Sequence, residues 1–161
     1  MDKIFLDIFL KGGFYMKVKE CMCNEVFCIN SENKVIDAVK IMNEKHVGSV
    51  PVCDKNNEVI GLVTDRDIVL RVIACDKDAK QTSVSEIMTS NVACCTAEDD
   101  ITNAQNKMSD SQIRRLPVVE NGKIVGILTI GDILNNNTIN ANQCGEMLEK
   151  ICCTKSHKNA E

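Results

Sequence analysis

Two short motifs of the form Thr-x-x-Asp carry the residues best suited to chemistry in this sequence. They run from Thr64 to Asp67 and from Thr129 to Asp132, each after a β-branched, aliphatic run that is typical of a strand. The spacing is that of a capping box, in which the two side chains satisfy backbone N–H groups at the start of a helix. A helix N-terminus also attracts phosphate, and a carboxylate there can accept hydrogen bonds from both hydroxyls of a ribose. The spacing alone favours the cap and leaves a ligand site as the alternative.

Three arginines near these motifs could bind an anion. Arg66 lies inside the first motif, and Arg114 and Arg115 lie beside a predicted central strand of the second half. Arginine presents a planar fork of donors that matches a phosphate group. The alternative is that these residues are solvated charges or contacts with a second copy, and both interpretations stay open.

The sequence lacks the residue sets that are typical of a catalytic centre. It contains no nucleophile with a base and an orienting group, no phosphate-binding loop and no His-Glu-x-x-His helix. We therefore expect no enzyme activity. Close cysteine pairs suit zinc or an iron–sulfur cluster, although none has the Cys-x-x-Cys spacing. These pairs are Cys21 with Cys23, Cys94 with Cys95 and Cys152 with Cys153. A cysteine-based metal or redox sensor remains an alternative.

The composition is that of a globular chain in a reducing compartment. Of the 161 residues, 44% are hydrophobic and 26% are charged, and the net charge of −4 argues against nucleic acid as a partner. Ten cysteines without a secretory signal indicate free thiols in the cytoplasm. The apolar stretch Ile4–Leu10 is too short to span a bilayer, and Asp7 interrupts it, so we expect no membrane association.

The chain is an internal repeat. Val18–Leu70 aligns with Val84–Leu134 at an offset of 66 residues, which falls to 65 after Pro51 has aligned with Pro117. Fourteen aligned pairs are identical, and both Thr-x-x-Asp motifs are among them. The two motifs are therefore equivalent positions in two copies of one unit.

Each copy contains a predicted β-hairpin. The first pairs Val47–Cys53 with Val59–Thr64, and the second pairs Ile113–Val119 with Ile124–Thr129. Asn121-Gly122 predicts a two-residue turn in the second hairpin, because both residues tolerate positive φ. The first hairpin has a loop one residue longer, which explains the change of offset.

A helix precedes each hairpin and another follows it. Apolar residues at helical spacing predict the preceding helices, and they are Val35, Ala38, Val39 and Met42 in the first copy and Ile101, Ala104 and Met108 in the second. Ser31 and Thr96 are the predicted N-caps. Short strands at Val26–Ile29 and Val92–Cys95 come before these helices, and helices at Asp65–Ala74 and Gly131–Leu134 follow the hairpins.

Each copy is thus a β-α-β-β-α unit of the α/β (α+β) class. A unit of about fifty residues cannot bury both faces of its sheet alone. We therefore expect the two copies to pack against each other about a pseudo-twofold axis.

These features divide the chain into five parts. Residues 1–15 form an extension that matches nothing in the second copy, and Met16 is a possible true start. Residues 16–76 and 84–135 are the two copies, joined by a linker at 77–83 within the polar stretch Arg71–Ser83, which we interpret as a solvated connection. Residues 136–161 are a tail with a short amphipathic helix around Cys144–Cys152.

The repeated motifs resemble those of the CBS (cystathionine-β-synthase) domain pair, also called a Bateman module. The resemblance covers Val18 to about Leu134. It rests on Val-x-Glu-x-Met at the start of each copy, on Val-Gly-Ser-Val-Pro-Val and Ile-Arg-Arg-Leu-Pro-Val on the central strands, and on Gly61-Leu-Val-Thr-Asp-Arg-Asp67 and Gly126-Ile-Leu-Thr-Ile-Gly-Asp132 at the ends. All of these motifs occur in order and twice over.

The resemblance implies a non-catalytic, stand-alone regulatory module without an obligatory cofactor. Such modules bind AMP, ADP, ATP or S-adenosylmethionine in clefts between the copies, form dimers and regulate a partner protein, here unknown. Asp67 and Asp132 would hold the ribose, with Thr64 and Thr129 near the ribose or phosphate. Apolar walls for adenine would come from Val26, Val50, Pro51, Val92, Leu116 and Pro117. A structural homodimer with empty clefts is the alternative.

The two clefts are expected to differ chemically. The family motif often reads Met-Thr at the start of a copy, which fits Met88-Thr89 but not Met22-Cys23. A thiol cannot replace the hydrogen bonds of the Thr89 hydroxyl at equal strength. The sequence therefore predicts at least one working site, with ligand choice set by the differences between the copies.

Overall fold

The elements of the computed structural model, which describes residues 16–135 and 141–152, follow the repeat. The first copy contains β1 (Ile29–Asn30), α1 (Val35–Lys45), β2 (Ser49–Cys53), β3 (Val59–Thr64) and α2 (Asp65–Arg71). The second contains α3 (Ile101–Ser111), β4 (Arg115–Glu120), β5 (Lys123–Thr129) and α4 (Ile130–Asn135), and α5 (Ala141–Cys152) follows. Single 3-10 turns lie at Val18–Glu20, Ile73–Cys75 and Val84–Glu86. The predicted extension at 1–15 and the end of the tail lie outside the described residues.

Both predicted hairpins are confirmed. Strand β2 pairs antiparallel with β3, and β4 pairs antiparallel with β5. Asn121 and Gly122 have φ values of 51° and 80°, as the tight turn between β4 and β5 requires. Strand β1 pairs in parallel with β2 and forms the edge of the first sheet.

The predicted N-caps and first strands are wrong in detail. Helix α1 begins after Lys34 rather than after Ser31, because the Val35 N–H donates to the Thr82 carbonyl at 3.0 Å. Helix α3 is capped by the Asp100 side chain, which accepts from Thr102 N–H at 2.7 Å. Thr96 lies in a turn before that helix.

The first predicted strand is correspondingly short. Of the predicted strand Val26–Ile29, only Ile29 pairs, as part of β1, and the equivalent stretch of the second copy makes a single parallel bridge from Cys95 to Val118. The residues before these short pairings do not pair with the hairpin of their own copy, because they contact the other copy.

The two copies exchange their leading segments, defined as residues 16–28 and 82–94. Val18 of the first segment is fully buried in the core of the second copy, together with Met108 and Leu116. Val84 and Ile87 of the second segment are buried in the core of the first copy. Each core is therefore completed by the other copy, which gives the pseudo-twofold α/β architecture that the repeat predicts.

Backbone hydrogen bonds fix the register of this exchange. Cys23 and Ile127 exchange two N–H···O bonds of 2.9 Å, which adds the first leading segment to β5. Thr89 and Leu62 make the equivalent pair at 2.9 and 3.0 Å on β3. The end of each hairpin is consequently covered by the leading segment of the other copy.

The stretch between the copies is not simply a solvated connection. Val72 is 1% exposed and belongs to the first core, and Thr82 is 6% exposed. The polar residues Asp76–Asp78 between them are exposed, as predicted. The connection is thus anchored at both ends, because the residues that follow it, such as Val84, pack in the core of the first copy.

Gly61 and Gly126 allow the close approach of the leading segments. A Cβ atom at Gly61 would lie 2.6 Å from Met88 Sδ and 3.2 Å from the Thr89 carbonyl oxygen. A Cβ atom at Gly126 would lie 2.7 Å from Met22 Sδ and 3.1 Å from the Cys23 carbonyl oxygen. A larger residue at either position would therefore displace a methionine side chain and crowd the backbone of the other copy's leading segment.

We predict that Gly61→Ala lowers the free energy of unfolding by about 1–3 kcal/mol, because the added methyl group overpacks this contact. Urea unfolding measures the change. Gly131→Ala is the control, since its nearest neighbour, Thr129 Oγ1, is at an ordinary 3.5 Å. Equal stability of the Gly61→Ala variant and the natural chain would contradict the tight contact.

Candidate functional site

The first Thr-x-x-Asp motif is a capping box at the junction of β3 and α2. Thr64 Oγ1 accepts a hydrogen bond from Asp67 N–H at 3.1 Å. In return Asp67 Oδ2 accepts from Thr64 N–H at 2.9 Å and from the Thr64 hydroxyl at 2.7 Å. The prediction of a cap is confirmed, and one carboxylate oxygen, Oδ1, takes no part in it.

The second motif has the same geometry. Asp132 Oδ2 accepts from Thr129 N–H at 2.8 Å and from the Thr129 hydroxyl at 2.6 Å, and Asp132 N–H donates to Thr129 Oγ1 at 3.2 Å. Corresponding bonds in the two copies differ by 0.1 Å. Any difference in function must therefore come from the residues around the motifs.

A cleft of about 390 Å³ opens beside the first motif, between the two copies. Its walls come from β3, α2, the second leading segment and the end of α3 with the start of β4. The lining residues are Leu62, Thr64, Asp67, Thr89, Asn91, Val92, Ala93, Ser111, Ile113 and Arg115. Five of the predicted site residues thus meet in one cleft: Thr64, Asp67, Thr89, Val92 and Arg115.

Arg115 reaches from the second copy across to the first. A Cβ atom built on Gly48 would lie 3.1 Å from Arg115 Nη2 and 2.9 Å from Asp65 Oδ2. The absence of a side chain at Gly48 leaves room for both charged groups at the mouth of the cleft. Arg115 is half-buried there, whereas the neighbouring Arg114 is exposed.

Arg71 is a functional candidate that the sequence analysis missed. Its guanidinium lies 3.4 Å from Asp67 Oδ1, 2.6 Å from the Ile87 carbonyl oxygen and 3.5 Å from Thr89 Oγ1. It therefore joins the carboxylate of the first motif to the second leading segment. The spacing of four residues from Asp67 on one helix face was the available signal.

The remaining predicted site residues lie elsewhere. Val50 and Leu116 are fully buried in the two cores, and Pro51 and Pro117 are buried on the central strands. Arg66 is exposed on the first turn of α2, and Val26 is half-buried on the first leading segment. A role in ligand contact stays a prediction for all of these residues.

The second motif has different surroundings at the equivalent positions. The repeat places Phe27 where the first cleft has Ala93, and Ser49 where it has Arg115. The Lys45 ammonium lies 4.4 Å from the centroid of the Phe27 ring, a cation–π contact. The second cleft is thus expected to have an aromatic wall and no guanidinium from this strand.

The described residues also bear on two other expectations, a cysteine-based metal site and a membrane span. Within residues 16–135 and 141–152, no group of three or more His, Cys, Asp or Glu side chains is placed to hold a metal ion. None of the described helices is both long enough and apolar enough to cross a membrane.

Comparison with known proteins identifies the repeat. The model of the CBS domain family matches residues 18–74 and 84–137. The CBS domain-containing protein YhcV of Bacillus subtilis is 34% identical over 142 residues, which are 88% of this chain and 96% of that protein.

Solved structures share the fold. Hypoxic response protein I, whose crystal structure holds two coordinated zinc ions, has a TM-score of 0.70 and 28% identity over 75% of this chain and 98% of its own. The CBS domain pair of protein MJ0100, in complex with 5′-methylthioadenosine and S-adenosyl-L-methionine, has a TM-score of 0.69 and 27% identity, covering 75% of this chain and 94% of its own.

Proposed function

The chain belongs to the CBS domain family, whose domain pairs are in general regulatory modules, and we propose that it binds an adenosine-containing ligand in the Thr64/Asp67 cleft. The observation that carries this proposal is the meeting of a capped carboxylate, an arginine and an apolar wall from both copies in one cleft. Ligand binding there would signal to a partner protein through the packing of the copies.

The Asp67 carboxylate is suited to a ribose. Its Oδ2 atom is held by Thr64, so the carboxylate cannot rotate away from the cleft. The Oδ1 atom lies 3.4 Å from the Arg71 guanidinium, a distance at which a sugar hydroxyl could compete. Val92, Ala93 and Ile113 offer apolar surface for a base.

Arg115 favours a ligand that carries phosphate. It is half-buried at the mouth of the cleft, where a guanidinium binds phosphate more strongly than in bulk water. Arg71 balances the charge of Asp67. We therefore infer that AMP, ADP or ATP binds this cleft more tightly than S-adenosylmethionine, whose sulfonium is a cation. The MJ0100 domain pair is in complex with two adenosine-containing ligands, which supports adenosine as the group that nucleotides and S-adenosylmethionine have in common.

An apolar surface formed by α2 and the 3-10 turn after it supports a homodimer. Val69, Leu70 and Ile73 are 52%, 50% and 65% exposed, and Val69 also lines a groove of about 360 Å³ between α1 and α2. Neighbouring exposed apolar residues are typical of an interaction surface. We propose a second copy of this chain as the occupant.

A cysteine-based metal sensor is the weaker candidate. The zinc-containing structure of hypoxic response protein I is its main support, because a related fold there holds metal. The nucleotide proposal is favoured by the cleft, which brings together residues of both copies around the first motif.

Titration calorimetry of the full chain with AMP, ATP and S-adenosylmethionine tests the proposal, and Asp67→Asn is expected to weaken AMP binding about tenfold or more. Asp132→Asn is the matched control, because its capping bonds are equivalent to those of Asp67. Absence of binding to all three ligands at millimolar concentration would instead support a structural dimer with empty clefts. Equal loss from both variants would reject the assignment of the site.

Arg115→Ser, which introduces the residue of the first copy, should lower AMP affinity by about tenfold and leave adenosine affinity unchanged, because only AMP carries a phosphate. Arg114→Ser should change neither affinity. Calorimetry with both ligands measures the ratio, and a parallel loss for adenosine would show that Arg115 only supports the fold.

Ile73→Glu should convert a dimer into a monomer in sedimentation experiments, because it places a charge in the apolar surface formed by α2 and the 3-10 turn that follows it. Leu148→Glu is the control, since Leu148 is also exposed, at 38%, but lies on α5. A natural chain that sediments as a monomer at tens of micromolar would refute the dimer.

A further inference from the structure

Arg71 lies behind the first cleft and connects two of the residues that line it. Its Nη2 atom is 3.4 Å from Asp67 Oδ1, and its Nη1 atom donates to Thr89 Oγ1 at 3.5 Å. Asp67 belongs to the first copy and Thr89 to the second leading segment, and both line the cleft, whereas Arg71 is not one of the lining residues. Arg71 would therefore act on a bound ligand through these two side chains.

The firmest contact of Arg71 is with the second leading segment. Its Nη1 atom donates to the Ile87 carbonyl oxygen at 2.6 Å. This carbonyl directly follows the 3-10 turn Val84–Glu86, and carbonyls at the end of a helical turn lack a partner within it. A hydrogen bond from a charged donor is stronger than one between neutral groups. Since the Ile87 side chain is buried in the first core, Arg71 and that core together hold the segment on the first copy.

The contact between Arg71 and Asp67 is weaker. Its 3.4 Å exceeds the length of about 2.7–2.9 Å that is typical of a charge-assisted hydrogen bond. Ion pairs on an exposed helix face contribute little to stability. A ligand hydroxyl that donates to Asp67 Oδ1 would therefore replace this contact without releasing Arg71 from the Ile87 carbonyl.

Ligand contacts at Asp67 and at Thr89 would act on Arg71 in the same direction. A guanidinium released from Asp67 keeps its bond to Ile87 and can approach Thr89 Oγ1 from its present 3.5 Å. The Thr89 hydroxyl accepts from Arg71 and can donate its own hydrogen to a ligand oxygen. Hydrogen bonds in such a chain polarise and strengthen one another. Both contacts thus strengthen the hold of Arg71 on the second leading segment.

The second copy lacks the residues of this connection. The repeat places Asn136, which lies outside the described residues, at the position of Arg71, and Cys23 at the position of Thr89. The capping bonds of Asp132 are nevertheless equivalent to those of the first motif. The connection from the carboxylate to a leading segment therefore distinguishes the first cleft, whereas the cap does not.

We propose that Arg71 is a positioning residue that converts ligand binding at Asp67 into a tighter hold of the second leading segment on the first copy. The proposal rests on the proposed function of the Thr64/Asp67 cleft and names the residue that regulates the packing of the copies from that site. Coupling between two sites is reciprocal. Arg71 therefore also raises the affinity of the cleft for its ligand, although it does not line the cleft.

Amide hydrogen exchange of the full chain, followed by NMR with and without saturating AMP, tests the proposal. The Thr89 N–H donates to the Leu62 carbonyl at 2.9 Å and reports opening of the second leading segment. The Cys23 N–H makes the equivalent bond to Ile127, also at 2.9 Å, and is the internal reference for changes in global stability. AMP should slow exchange at Thr89 about fivefold or more relative to Cys23, which is the lower end of typical coupling between sites.

Arg71→Met is the decisive variant, because it keeps the aliphatic stem and removes the charged donors. It should bind AMP about fivefold or more weakly, and saturating AMP should no longer slow exchange at Thr89 relative to Cys23. Arg71→Lys keeps a charged donor for the Ile87 carbonyl, which protects the fold. It should also lose the effect of AMP, because an ammonium lacks the planar fork that reaches Asp67 and Ile87 together.

Lys77→Met is the matched control. The Lys77 ammonium lies 3.5 Å from Glu86 Oε2, so this variant also removes a cation that contacts the second leading segment. Lys77 does not line the first cleft. The variant should therefore keep both the affinity for AMP and the slowing of exchange at Thr89.

Three results would contradict the proposal, and they differ in what else they reject. Equal slowing at Thr89 in Arg71→Met and the natural chain would show that Arg71 only supports the fold. Binding of AMP to the natural chain without relative slowing at Thr89 would reject the coupling and leave the ligand site in place. Absence of AMP binding to the natural chain would reject the proposed function together with the coupling.

Discussion

The exchange of leading segments is the interaction on which the rest of this structure depends. Val18 is buried in the second core and Val84 in the first, and paired backbone bonds at Cys23 and Thr89 hold each segment on the other copy's last strand. Neither hairpin can complete its own core, because a unit of about fifty residues buries too little apolar surface. The copies are therefore halves of a single cooperative fold.

The clefts are a geometric result of this exchange. The Thr-x-x-Asp motif follows the last strand of one copy, and the bridge between Leu62 and Thr89 sets the other copy's leading segment beside it. A ligand in the first cleft would touch residues on both sides of the exchange. Binding energy would then depend on how closely the copies pack, which is the physical requirement for a regulatory module.

Local features were predictable from the sequence, and features that depend on distant partners were not. The Asn121-Gly122 turn and the Thr64–Asp67 cap follow from neighbouring residues, and both were predicted. The start of α1 was not, because it is set by a hydrogen bond from Val35 to Thr82 in the other copy's leading segment. Arg71 was missed for a related reason: its contact with Ile87 exists only once the copies have exchanged segments.

The same reasoning explains why the copies could diverge where they did. The capping bonds, the close glycines and the exchanged valines occur in both copies, and each belongs to hydrogen bonds or close packing that a substitution would disturb. Side chains that point from this frame into a cleft or toward a neighbouring strand face no such constraint. Arg115 in place of Ser49, Ala93 in place of Phe27 and Val119 in place of Cys53 are substitutions of this kind. A duplicated scaffold can thus keep its common frame while the side chains that face its two clefts differ.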